Sequence, residues 1–135
     1  MSLFNIFDIA GSGMSAQSVR LNTIASNIAN ADSISGDPDK VYKARYPVFS
    51  TLLDQQSGQV RGVKVNEIVQ GHAPSLEEYN PNHPMADENG YIYRANISTV
   101  DEMANMISAS RSYQSSVQAM NTTKQLILST LNIGR

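Results

Sequence analysis

Apolar residues recur at every seventh position in the opening segment. Phe7, Met14, Leu21 and Ile28 form one series, and Leu3, Ala10, Gln17, Ile24 and Ala31 form a second. Two such series, interleaved three and four residues apart, place one apolar stripe along a helix. The pattern predicts a coiled-coil-like helix from about Leu3 to Ala31, with Gln17 as its polar interruption. Gly11 and Gly13 each weaken that helix by up to ~1 kcal/mol relative to alanine, which makes a soft point there. The Ser33–Pro38 stretch ends it.

The C-terminal part repeats the theme. Met103, Met106, Tyr113, Val117, Met120, Ile127 and Leu131 follow heptad spacing, with Ser110 and Lys124 as polar interruptions. Thr99-Val100-Asp101-Glu102 has the form of a capping box, in which Thr99 accepts from the Glu102 amide and Glu102 reaches back. Gly134 suits a C′ stop. A helix from Val100 to Asn132 would be roughly 50 Å long at 1.5 Å per residue. A domain of this size needs no helix so long, so the two seams are expected to partner each other and neighbouring subunits. Ser and Thr crowd the second helix, which lowers its intrinsic propensity and makes its order dependent on buried partners.

The middle breaks the helical period. Val63-Lys64-Val65 alternates, Ile68-Val69 favours a strand, and Tyr91-Ile92-Tyr93 is a short aromatic and β-branched run. Tyr42 to Leu53 can add another strand, and Asp87-Glu88-Asn89-Gly90 reads as a turn before Tyr91. Pro74, Pro81 and Pro84 favour an extended loop between these runs. The fold class is therefore mainly α, with long N- and C-terminal helices in a coiled-coil-like core and a small irregular β-rich insert between them. The divisions are 1–35 for the first core helix, 36–98 for the insert with its Pro-rich loop, and 99–135 for the second core helix.

Charge sharpens this picture. The 135-residue chain has ten basic and twelve acidic side chains, yet residues 1–31 hold only Asp8 and Arg20. Residues 100–135 hold only Asp101, Glu102, Arg111, Lys124 and Arg135. An ordinary surface helix solvates its outer face with Lys, Glu and Arg. Helices this poor in charge are expected to lie against protein on most faces, and one short chain cannot cover them alone. Assembly is the first functional expectation.

Composition removes other classes. With no cysteine, disulfides, thiolate metal sites and cysteine nucleophiles are excluded. A net charge of -2 and a pI near 5.6 argue against a nucleic-acid binder. No apolar run approaches the ~20 residues of a membrane span. No basic segment precedes Leu3–Ala10, and Asp8 interrupts it, so no cleavable signal peptide is read.

Candidate chemistry is thin. His72 and His83 lack the spacing of metal ligands and read as surface histidines in a Pro-rich loop. Asp32, Asp37 and Asp39 lack the alternating oxygen ligands and closing Glu of a calcium loop. No GxSxG, GxxxxGK[ST] or GxGxxG occurs. No pair of carboxylates stands out for glycan hydrolysis. Lys40, Lys43 and Arg45, interleaved with Tyr42 and Tyr46, form a basic cluster flanked by acids, which reads as a salt-laced strand or a partner contact. No cofactor, metal or catalytic residue is expected. Met103, Met106 and Met120 suit either a core or an adaptable surface that meets several partners.

Three blocks carry a family resemblance. Ser15-Ala16-Gln17 through Arg20-Leu21-Asn22-Thr23-Ile24-Ala25-Ser26-Asn27-Ile28-Ala29-Asn30-Ala31 resembles the N-terminal signature of the bacterial flagellar rod and hook proteins. Tyr79-Asn80-Pro81-Asn82-His83-Pro84-Met85-Ala86-Asp87-Glu88-Asn89-Gly90-Tyr91 is the second block. The third runs from Glu102 to Gln114 and continues through Asn121-Thr122-Thr123-Lys124-Gln125. Together they resemble the proximal-rod members of that family. One departure is Arg94-Ala95-Asn96, where the family commonly has proline before the asparagine.

The resemblance implies a structural subunit that polymerises into the periplasmic rod of the basal body. It also implies export through the flagellar type III apparatus without signal cleavage. The implied partners are other copies of itself, the other rod proteins, the rod-to-membrane-ring adaptor and the export apparatus. The implied interface joins the seam positions Phe7, Met14, Leu21, Ile24, Ile28, Met103, Met106, Tyr113, Val117, Met120, Ile127 and Leu131 to Asn27, Asn30, Ile107 and Arg111 of the matching blocks.

Overall fold

The first helix, α1, runs unbroken over Leu3–Ala29 in the computed structural model, which describes residues 3–54 and 58–133. Gly11 and Gly13 do not break it, and they let the second long helix approach. That helix, α2 (Thr99–Ile133), packs antiparallel on α1, with Gly11 beside Met120, Gly13 beside Ser116 and Asn27 bonded to Glu102. A Cβ at Gly13 would stand 3.3 Å from Ser116 Oγ, tighter than an ordinary packing contact. The C′ stop expected at Gly134 lies outside the described residues. No helix among the described residues is long and apolar enough to cross a membrane.

The contact line between the helices differs from the one the heptads predict. On α2 the enclosed positions are Glu102, Ala109 and Thr123, with Ser116 half-buried between the last two. They too recur every seventh residue, but they sit one position away from the Met103, Ser110, Val117 and Lys124 series. Met106, Tyr113, Met120 and Ile127 flank this line half-buried. On α1, Ala10, Ala16, Thr23, Ile24 and Asn27 are buried, while Phe7 is exposed and Met14, Leu21 and Ile28 are only half-buried. Small side chains win the contact because they allow the backbones to come close. The buried hydroxyls cost little, since each bonds a carbonyl of its own helix: Thr23 to Val19 O (2.8 Å), Ser116 to Ser112 O (3.1 Å) and Thr123 to Ala119 O (2.8 Å). Gln17 Oε1 is the exception, buried without a hydrogen-bond partner among the described residues.

Between the helices the described residues form five strands in two antiparallel sheets: β1 (Ile34–Ser35), β2 (Arg45–Leu53), β3 (Val60–Gln70), β4 (Leu76–Tyr79) and β5 (Tyr91–Arg94). β2 and β3 form a hairpin whose register slips at Asn66 and Arg61, the unpaired residues at two irregularities. Val63–Val65 and Ile68–Val69 are thus parts of one eleven-residue strand. The second sheet has the order β1-β5-β4. β4 corrects the expectation of loop throughout the Pro-rich stretch: the four residues between Ser75 and Asn80 contain no proline and pair with β5. A small cluster of Ala31, Val41, Ala44, Ile92 and Ala95 is buried at the base of the insert. The Ala95 amide donates to Ser33 O (3.2 Å), a bond that proline could not make.

Candidate assembly interface

Asn27 ties the subunit together before any partner arrives. Its side chain is 0% exposed. Nδ2 donates to Glu102 Oε2 and to Arg45 O, both at 3.0 Å. Oδ1 accepts from the Arg45 amide (2.9 Å) and from the Tyr42 hydroxyl (3.0 Å). Both amide protons and both oxygen lone pairs are therefore used. The amide grips the Arg45 peptide at N–H and C=O as a neighbouring strand would, which fixes where β2 leaves the helix pair. Ser26 Oγ completes the network at 3.1 Å from the Tyr42 hydroxyl. The Arg45 guanidinium lies 5.6 Å from the Tyr42 ring centroid, within cation–π range.

Glu102 is buried at 5% exposed, and its role differs from the capping box read in the sequence. Ser98 caps α2 instead: its Oγ accepts from the Asp101 amide (3.3 Å), and the Glu102 amide donates to Ser98 O (3.0 Å). The Glu102 carboxyl group turns inward and accepts from the enclosed Asn27 amide (3.0 Å).

A second fastening holds the hairpin along α1. Ser12 Oγ donates to Ile9 O (2.9 Å) and accepts from the Val63 amide (3.2 Å). Gly62 is buried there, and a Cβ on it would overlap Ser12 Oγ. Only glycine lets the strand sit so close to the helix.

A third local structure is the turn of the second sequence block. Asp87 Oδ1 accepts from the amides of Tyr91 (2.8 Å) and Asn89 (2.9 Å), and Oδ2 accepts from the Tyr93 hydroxyl (3.3 Å). The Tyr91 amide, followed by the other donors, holds the Asp87 carboxyl below its usual range. The Tyr93 phenol is pushed up, first by partial burial and then by the Asp87 charge. Tyr79 and Tyr91 meet edge to face at 5.2 Å.

The outer faces of the helices remain uncovered. Val100, Met103 and Ile107 are 74%, 54% and 57% exposed on α2, and Leu126, Leu128 and Leu131 are exposed towards its end. Of the other sequence-predicted positions, Arg111 is exposed and Val117 half-buried. Asn30 is half-buried and bonds Ser26 O (2.8 Å) at the last turn of α1. Ile24 and Asn27 are enclosed within the subunit. Sequence reasoning missed Ser12, Gly62 and the inward Glu102, because each acts through a contact distant in the chain.

Other candidate chemistry disperses. His72 is exposed, and His83 Nδ1 accepts from the Met85 amide (3.1 Å). Asp32 pairs with Arg94 (3.0 Å) and Asp37 with Lys40 (3.1 Å). Among the described residues no group of three or more metal-ligating side chains converges.

Comparison with known proteins gives a consistent match at both ends and over the whole length. Residues 7–33 match the family described as flagella basal body rod protein. Residues 88–133 match the flagellar basal body rod FlgEFG protein C-terminal family. The chain is 48% identical to the flagellar basal-body rod protein FlgC of Salmonella typhimurium, with 100% of both chains covered. It is 49% identical to FlgC of Yersinia enterocolitica and 46% identical to FlgC of Escherichia coli O157:H7, again with 100% of each chain covered.

Proposed function

The chain belongs to the flagellar basal-body rod proteins, and from that premise we propose that this structural rod subunit polymerises through its two terminal helices. The terminal helices of many copies form a coiled-coil-like core of the rod, and the insert of residues 36–98 lies outside it. The rod crosses the periplasm as a shaft, built with the other rod proteins and joined to the membrane ring by an adaptor. The subunit reaches it through the flagellar type III export apparatus. Its role is mechanical, with no catalytic step.

One observation carries this reading: large apolar residues face outward from helices that carry almost no charge. Val100, Met103 and Ile107 remain exposed although the helix pair is already closed by smaller residues. Completing the burial of each of these side chains gains about half to three quarters of the 1.5–3 kcal/mol that full burial yields, a gain that a neighbouring chain can supply.

The test separates assembly from folding. Ile107→Asp and Met103→Asp alter positions that are more than half exposed in the free subunit, so each purified variant should stay folded with a loss of about 1–2 kcal/mol. In a strain lacking its own copy of this subunit, both should be exported yet give no hooks and no swimming. Normal swimming by both variants at native expression would overturn the proposed interface.

A further inference from the structure

The insert is electrically two-ended. Residues 76–94 carry Glu77, Glu78, Asp87 and Glu88 against Arg94, a net charge of -3. The β2 and β3 strands carry Arg45, Arg61 and Lys64 against Glu67, a net charge of +2. Each end also presents apolar surface beside its charge.

At the acidic end the strand register defines the outward face. Residues opposite each other in an antiparallel ladder share a face, and successive residues alternate. Glu77 lies opposite Tyr93, and Tyr79 lies opposite Tyr91. The other face holds Ile92, 2% exposed, and the Glu78–Arg94 contact at 3.6 Å. Glu77, Tyr79 and Tyr91 therefore look outward together, with Tyr93 half-buried on the same face, and Tyr79 is 65% exposed. A carboxylate beside three phenol rings suits an arginine: the acid pairs with the guanidinium and the rings receive its flat face.

At the basic end, a groove of about 380 Å³ lies between the hairpin and the helix pair, lined by Arg20, Arg45, Tyr46, Phe49 and Asn105 among others. Arg20 is the sole base of α1, and neither arginine makes an ion pair among the described residues. Glu102 touches the groove too, but its carboxylate is enclosed and bonded to Asn27.

We propose that the outward Glu77–Tyr79–Tyr91–Tyr93 face of one subunit docks on the Arg20–Arg45 groove of a second copy. The inference rests on the rod-subunit reading and names one contact within it. Two different surfaces of the subunit meet, so the contact is head to tail and can repeat from copy to copy.

Charge exchange tests the pairing in a strain lacking its own copy of this subunit. Glu77→Arg and Arg20→Glu should each reduce swimming at least tenfold, and the two changes together in one chain should restore it. Circular dichroism of the purified variants checks that they fold, and Glu77→Gln with Arg20→Gln replaces the reversals if either disturbs the fold. Because the chain has no native cysteine, Glu77→Cys and Arg20→Cys together give one defined cross-link. A short-spacer bis-maleimide on isolated basal bodies should then yield a ladder of linked copies. Wild-type swimming by either single reversal overturns the contact. Loss without rescue, and without a ladder, overturns the choice of a second copy as partner. Absence of the unaltered protein from isolated rods would overturn the rod reading itself.

Discussion

Replacing Asn27 with alanine should be among the most damaging single changes in the subunit, although Asn27 is neither large nor apolar. The amide makes four hydrogen bonds and has no exposure to solvent. Its loss strands the enclosed Glu102 carboxylate without the donor it has in the native state. A hydrogen bond to a charged group contributes about 1.5–3 kcal/mol, and each neutral bond about 0.5–1.5 kcal/mol. The Arg45 peptide lies near solvent and recovers part of its loss through water. A total of about 3–5 kcal/mol follows, a large share of the 5–15 kcal/mol that typically holds a domain together. Urea unfolding followed by helical circular dichroism reads it: at a slope of about 1–3 kcal/mol/M, the midpoint falls by at least ~1 M. A double-mutant cycle locates the cause. Glu102→Leu in the Asn27→Ala background should cost less than it does alone, with a coupling of at least ~1 kcal/mol. An Asn27→Ala variant within 0.5 kcal/mol of wild type, uncoupled to position 102, would refute this account of the hub.

Gly62→Ala should destabilise the hairpin's seat on α1 by about 1–3 kcal/mol, since the added methyl overlaps Ser12 Oγ; Ser12→Gly in the same chain should return part of the loss in thermal melts. The Asp87 carboxyl is held below its ordinary value of 3.8 in the folded chain, so its contribution is complete above that value and is lost as pH falls through the lowered one. Asp87→Asn should therefore flatten the acid limb of the stability profile while leaving its slope near neutrality unchanged. Among the described residues no side chain of α2 past Thr123 is buried, so backbone amides there should exchange fast in the free subunit and slowly in the assembled rod, as hydrogen-exchange mass spectrometry would read.

The two long helices were legible because heptad spacing over many turns leaves few alternatives. Their mutual contact line was not. Hydrophobicity singles out Met103, Val117 and Leu131, whereas close approach is decided by the absence of bulk at Gly13, Ala109 and Ser116. Ser and Thr score as polar in a pattern, but their hydroxyls are satisfied on their own helix, so they pack as small side chains. The turn at Asp87–Gly90 was legible from local chemistry, since its bonds span only a few residues. Strand β4 was hidden by its flanking prolines. The inward turn of Glu102 was hidden for a different reason: its partner Asn27 lies 75 positions away in the chain. Ser98, one residue before the expected cap, was equally able to serve, and the tertiary bond decided between them.

The division of labour between small and large residues bears on how the rod grows. Inside the subunit, the contact between the helices uses alanine, glycine and hydroxyl side chains, leaving Val100, Met103, Ile107, Leu126, Leu128 and Leu131 for other contacts. These residues are 50% to 74% exposed, so completing their burial yields about half to three quarters of 1.5–3 kcal/mol each, or about 5–11 kcal/mol per subunit. Association costs an estimated 4–15 kcal/mol in lost translational and rotational freedom alone. A single neighbour that covered only part of the exposed set would recover that cost poorly. A subunit arriving at a growing end meets several neighbours and pays the cost once. Such helices favour addition to an existing structure over association in free solution.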